Sequence, residues 1–264
     1  MRKDIRYIYE DEDLLVCHKE AGMATEGARV GSMDLVSAAR NYLARKQRED
    51  SKGRQRNLPP YVATVHRLDA PVEGVVVLAK TKKAATDIAA QIKARKTDKY
   101  YYALCYGTFG EEKALLTDYL VRREDTSLAM VISEKQAKDI TSDTVTLENG
   151  EKIRLISGGA KKASLEYEVI AKKDNMSLLR VHLLTGRFHQ IRVQLSHLGC
   201  PIIGDTAYGS PESLECAQRH RIKSLCLVSY KFGLKHPTTK KHTEFSIEPD
   251  NQAIAELLNT IPKE

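Results

Sequence analysis

Residues 183–199 read LLTGRFHQIRVQLSHLG, and this stretch changes its hydrophobic period halfway along. Leu183 and Leu184 end a β-type run, whereas Ile191, Leu195 and Leu198 share one helical face that stops at Gly199. A strand therefore hands over to a helix starting near His189. Arg187, His189, Gln190 and Arg192 crowd that junction. As pure scaffold the segment would spend desolvation energy without gaining core, and the orphan N–H groups of a helix start favour anions.

Working outward, the same alternation of short runs continues. Strands are predicted at Ile5–Tyr9, Leu14–His18, Val62–His66, Val75–Ala79, Tyr100–Tyr106, Ala114–Val121, Leu128–Ser133, Ile153–Ile156, Leu165–Ala171, Leu178–Leu184, Leu225–Ser229 and Thr243–Glu248. Helices are predicted from a Ser32 cap to about Lys46, over Lys83–Lys96, and through Ile254, Leu257 and Leu258. Strands outnumber helices without strict alternation, which argues for an α+β fold with a large, mostly antiparallel mixed sheet and flanking helices. No linker divides the chain, so residues 1–264 read as a single domain, with Lys135–Gly150 as a polar excursion and Glu49–Pro60 as a mobile basic loop.

The chain has 264 residues, 42% of them apolar, and a formal net charge of +7 from 42 basic and 35 acidic side chains. That composition excludes wholesale disorder. No stretch approaches the ~18 apolar residues of a membrane span, and the N-terminus has no secretory h-region, so a cytoplasmic location is expected. Five cysteines without a CxxC pair suit a reducing compartment and signal no zinc site; Cys17, Cys105 and Cys200 read as small buried hydrophobes. Phosphate-loop and GxSxG patterns are absent, so no cofactor is expected. Basic residues group at Arg40–Arg56, Lys80–Lys99 and Arg219–Lys241, a distribution that points to a phosphate-bearing partner.

Two further segments carry candidate chemistry. Val65-His66-Arg67-Leu68-Asp69 places a carboxylate in a turn between strands, fixed by Pro71 and Gly74. In Lys99-Tyr100-Tyr101-Tyr102-Ala103, strand alternation points Tyr101 away from Tyr100 and Tyr102. Each has a structural alternative: a turn ion pair for the first, cross-strand packing for the second. Asp205 and Tyr208, in the Gly- and Pro-rich loop after residue 199, read as scaffold.

Together these segments resemble the RluA-type RNA pseudouridine synthases. HRLD with Gly74 and VVVLAK resembles the family's catalytic-aspartate motif, KYYYALCYG its tyrosine motif, and LLTGRFHQIRVQLSHLGCPIIGDTAYG its most distinctive segment. YEDEDLLVCHKEAGM and LKHPTTKKHTEFSI extend the likeness to the two ends. The resemblance implies a pseudouridine synthase-like catalytic domain acting on ribosomal or transfer RNA without cofactor, and a monomer is the default expectation. It implies Asp69 as the catalytic carboxylate, Tyr101 against the target base, and Arg192 paired with Asp69. Arg67, His66, Arg187, His189 and Gln190 are then expected to contact RNA or shape the site. Many relatives carry Thr-Ser where this chain has Val72-Glu73, and many carry an S4-type RNA-binding domain not seen here, so the basic loops are expected to supply RNA affinity. Competing readings are a non-catalytic RNA-binding or ribosome-assembly factor, and a hydrolase using Asp69 with His66 or His189.

Overall fold

The computed structural model describes residues 5–28, 31–50, 59–156 and 158–262. The chain forms two compact units, one from residues up to 99 with 228–250, the other from 100–227 with 251 onward. In chain order the elements are β1 (Arg6–Glu10), β2 (Leu14–Lys19), α1 (Leu35–Asp50), β3 (Ala63–Thr64), β4 (Glu73–Ala79), α2 (Lys82–Lys93), β5 (Asp98–Tyr106) and β6 (Lys113–Arg122). They continue with β7 (Ala129–Ile132), α3 (Glu134–Lys138), β8 (Thr144–Thr146), β9 (Lys152–Arg154), β10 (Lys161–Lys173), β11 (Met176–Leu183), α4 (Gln190–His197), α5 (Pro211–Arg219), β12 (Leu227–Lys235), β13 (His242–Ser246) and α6 (Gln252–Leu258).

In the first unit, β1 and β2 form a hairpin whose turn is closed by Asp11, Oδ1 accepting the N–H groups of Asp13 and Leu14 at 2.9 and 2.7 Å. Strand β2 runs antiparallel to β4, and β4 runs parallel to the start of β12. Both β2 and β4 are buried along their whole length, which explains their unbroken apolar runs. Val16, Val75, Val77, Phe232 and Phe245 meet Ile88 of α2 in the core. Each such side chain stabilises the fold by about 1.5–3 kcal/mol on burial. At Gly74, φ is +151°, and a Cβ there would lie 2.5 Å from the Ser229 side chain. Only glycine lets β4 and β12 approach so closely, immediately after the Asp69 turn.

Helix α1 is capped by Asp34, whose Oδ1 accepts the Ser37 N–H at 2.7 Å, rather than by Ser32. It continues to Asp50, four residues past the predicted end; the rest of the predicted basic loop, residues 51–58, lies outside the described residues.

In the second unit, the antiparallel order is β5-β11-β10-β6-β7. The polar excursion is ordered: a capping box at Ser133 and Gln136 starts α3, and β8 pairs with β9. Its sparse apolar residues Val145, Ile153 and Leu155 close a small core with Val121 and Ile132. Helix α5 was not foreseen, although Ser210 caps it and Pro211 occupies its first turn, both readable start signals. The pairings are antiparallel apart from β4 with the start of β12 among the described pairs, in agreement with the α+β reading. No helix among the described residues is long and apolar enough to cross a membrane.

Candidate active site

In the first unit the Asp69 turn is clamped on both flanks. Thr25 Oγ1 accepts the Leu68 N–H at 3.2 Å and donates to the Leu68 carbonyl at 2.9 Å. The Ala70 carbonyl accepts from Gly22 N–H at 2.8 Å and from Lys19 Nζ at 3.1 Å. Leu68 and Val72 are buried on either side, and Val72 N–H closes the turn onto the Asp69 carbonyl at 3.0 Å. The turn is thus anchored by its neighbours and its backbone, with the Asp69 carboxylate half-buried.

Lys19 was missed by sequence reasoning. It is fully buried at the end of β2, and its ammonium donates to the carbonyls of Glu20, Met23 and Ala70 at 3.1, 2.7 and 3.1 Å. Burial pulls its pKa down to about 8 against the opposing pull of the Asp69 and Glu73 charges. Glu73, at the start of β4, turns inward. Its Oε1 lies 2.8 Å from His18 Nε2 and accepts the Asp250 N–H at 2.7 Å. His18, Glu73 and Asp250 are metal-ligating types gathered together, yet the Arg6 guanidinium already bonds Asp250 and lies 3.3 Å from His18 Nε2. With that cation in place, the cluster is an ion-pair network.

His66 is bound into the scaffold. Its Nε2 accepts the Val77 N–H at 3.0 Å, and its ring stacks on Phe232 at 4.4 Å. Burial, and then Lys99, push its pKa down to about 3, and the Nε2 bond braces β4. Arg67 is exposed and pairs with Glu26 at 3.0 Å, an open-surface contact worth little.

In the second unit, α4 buries polar residues on purpose. Arg192 grips Asp205 with two parallel bonds, Nε to Oδ2 at 2.7 Å and Nη2 to Oδ1 at 2.8 Å. Asp205 Oδ1 also accepts the N–H groups of Ala207 and Tyr208 at 3.0 and 3.1 Å. Asp205 is scaffold, as expected, and specifically the scaffold that aims Arg192.

Gln190 is fully committed inside the second unit. Its Oε1 accepts from Thr185 Oγ1 and Arg187 N–H at 2.7 and 3.0 Å, and its Nε2 donates to the Ser164 carbonyl and Gln194 Oε1 at 3.1 and 2.9 Å. Two acceptor and two donor positions exhaust an amide, so this buried side chain shapes the strand-to-helix junction and has nothing left for RNA.

His189 occupies the N-cap position of α4 with φ +52° and lies 2.9 Å, through Nδ1, from the Tyr208 hydroxyl. Arg187 is half-buried and donates from Nε to the Lys162 carbonyl at 3.1 Å. Tyr101 is 7% exposed, whereas Tyr100 and Tyr102 on the other face of β5 are only partly buried, which is the predicted alternation.

Several of the clustered basic residues are engaged locally. Lys46 and Lys80 share Glu10, Lys240 pairs with Asp87, and Arg219 with Glu215. The cysteines Cys17, Cys105, Cys200, Cys216 and Cys226 are all buried and free, with burial raising their thiol pKa values, those of Cys17 and Cys226 to about 12.

Residues 13–197 match the RNA pseudouridylate synthase family. An uncharacterised RNA pseudouridine synthase of Aquifex aeolicus is 30% identical, aligned over 92% of this chain and 69% of its own. The dual-specificity RNA pseudouridine synthase RluA of Yersinia pestis is 27% identical over 86% of this chain and 93% of its own. The chain spans 69%, 66% and 63% of the length of three such relatives, so part of each has no counterpart here. Among solved structures, human RNA Pseudouridylate Synthase Domain Containing 4 superposes with a TM-score of 0.69, covering 96% of this chain and 91% of its own at 21% identity, which speaks for the fold. With a family match running through both the Asp69 turn and the start of α4, this chain belongs to the RluA-type RNA pseudouridine synthases, a family of isomerases.

Proposed function

We propose that this protein isomerises uridine to pseudouridine in ribosomal or transfer RNA, that Asp69 is its catalytic carboxylate, and that residues 1–264 act as one catalytic domain. The observation that carries this reading is the clamp on the Asp69 turn. Thr25, Gly22 and Lys19 hold the backbone on both flanks, which pre-orients a carboxylate at no entropic cost when substrate arrives.

The reaction breaks the N1–C1′ bond, turns the uracil, and forms a C5–C1′ bond; the C5 hydrogen leaves as a proton and N1 gains one. No electrons change hands. Asp69 either attacks the sugar carbon or removes a ribose proton. Tyr101 is assigned to the face of the detached uracil, and Arg192 to keeping the catalytic carboxylate ionised. A guanidinium suits that task because it stays charged and its planar fork is held rigid from one edge by Asp205. Arg67, Arg187 and His189 are assigned to RNA contact. Extruding the base costs a few kcal/mol, which phosphate contacts offset.

The test uses ribosomal and transfer RNA transcripts carrying 5-tritiated uridine. Wild-type protein is expected to release tritium, and Asp69→Asn to release none while binding RNA within a few-fold of wild type. Turnover by purified Asp69→Asn would overturn the assignment.

A further inference from the structure

Phe188 sits among hydrogen-bonding residues at the start of α4, and 42% of it is exposed. Its ring is nevertheless tightly engaged. The Arg122 guanidinium carbon lies 4.2 Å from the ring centroid, and the His189 ring lies 3.7 Å away at an interplanar angle of 20°. Two planar groups that close to one six-membered ring occupy its opposite faces. His189 in turn meets Tyr208 edge-on at 5.5 Å, and the Tyr208 ring lies 5.1 Å from the Arg192 guanidinium. A ladder of cations and rings therefore runs from the buried Arg192–Asp205 pair out to Arg122 at the surface.

The rungs are fixed. Arg122 Nε donates to the Ser127 carbonyl at 3.0 Å, Tyr208 Oη accepts the Ala129 N–H at 2.8 Å, and the left-handed backbone at His189 sets its ring beside Phe188. Arg122 is exposed, and its guanidinium carbon lies over the Phe188 ring at the surface end of the ladder. A guanidinium plane is flat, weakly hydrated and permanently charged, and such planes stack on unpaired nucleobases. Arg187, next to Phe188 in sequence and held through Nε by the Lys162 carbonyl, adds positive charge for a phosphate.

We propose that Arg122, held over Phe188, is a stacking platform for a nucleobase flanking the reacting uridine, and so a specificity-determining subsite for single-stranded RNA. The proposal rests on the RNA-modifying reading above and adds to it a named contact for a neighbouring nucleotide.

The test uses the full chain and an oligoribonucleotide alternating uridine with 2-aminopurine riboside, whose fluorescence is quenched on stacking. Wild-type protein is expected to quench it. Arg122→Lys keeps the charge without the plane, and Phe188→Leu keeps an apolar side chain without the ring. Both are expected to lose most of the quenching and to bind about tenfold more weakly, with an unchanged salt slope because no phosphate contact is lost. Phe188→Tyr is expected to restore quenching. Wild-type quenching and affinity in both variants would overturn the platform, as would wild-type binding without quenching. The tritium assay decides the parent reading separately: release by wild type with unaltered variants sinks the platform alone, and no release by wild type sinks the activity while the quenching result stands.

Discussion

Arg192 and Asp205 meet through two parallel charge-assisted hydrogen bonds, with side chains only 7% and 0% exposed. Withdrawing both charges from water costs several kcal/mol, and the paired geometry plus two backbone N–H groups on Asp205 offset that cost. Asp205→Asn leaves the guanidinium buried against a neutral amide. It is expected to destabilise the protein by about 3–5 kcal/mol and to lower pseudouridine formation with it. Urea unfolding checks this; a loss below about 1 kcal/mol, the size of an exposed pair, would remove the anchoring role from Asp205.

Lys19 ties a pH-dependent stability term to the Asp69 turn. Its pKa of about 8 lies below the 10.5 of an unperturbed lysine. Between those values the unfolded chain holds more protons, so stability rises with pH across that window. Lys19→Met is expected to flatten the rise and, by taking its donor from the Met23 carbonyl and loosening those of Glu20 and Ala70, to cost about 1–3 kcal/mol at pH 7. Unfolding curves at pH 7 and 9.5 measure both effects.

Gln190 is a brace whose chemistry cannot be halved. Gln190→Leu takes the acceptor from the Arg187 N–H and the donor from Gln194 Oε1, and leaves the Thr185 hydroxyl and the Ser164 carbonyl to their bonds with each other. We expect a loss of about 2–4 kcal/mol, and a fall in activity that tracks the unfolded fraction. An RNA affinity that drops while thermal stability is unchanged would contradict the brace.

His66 gives the same sign of pH dependence as Lys19, but in the acid range. With its pKa held to about 3 in the folded protein against 6.5 ordinarily, the unfolded chain takes up a proton first as pH falls. Stability is therefore lost from about pH 6.5 downward, with a slope approaching about 1.4 kcal/mol per pH unit. His66→Gln still accepts the Val77 N–H but does not titrate, and is expected to reduce that slope in acid denaturation.

Period and punctuation carried much of the architecture. The all-apolar run at Val75–Leu78 demanded a strand buried on both faces, and β4 is one. The 3.6-residue pattern stopping at Gly199 demanded a helix, and α4 ends at His197 with Gly199 at φ +84°. Local signals failed where two candidates competed, as between Ser32 and Asp34 for the α1 cap, or where start signals lacked an apolar stripe, as at α5.

The order of strands and helices, the Asp69 turn between two strands and the polar crowding at 187–192 were written in the sequence, because hydrophobic period and turn chemistry are local properties. Which polar residues face inward was decided only by the tertiary structure. His66 accepts from Val77, Lys19 binds Ala70, Gln190 binds Ser164, and Arg192 binds Asp205. A buried polar atom is tolerable only when its partner is at hand, and those partners come from 11, 51, 26 and 13 residues away, a pairing that exists only once the chain is folded.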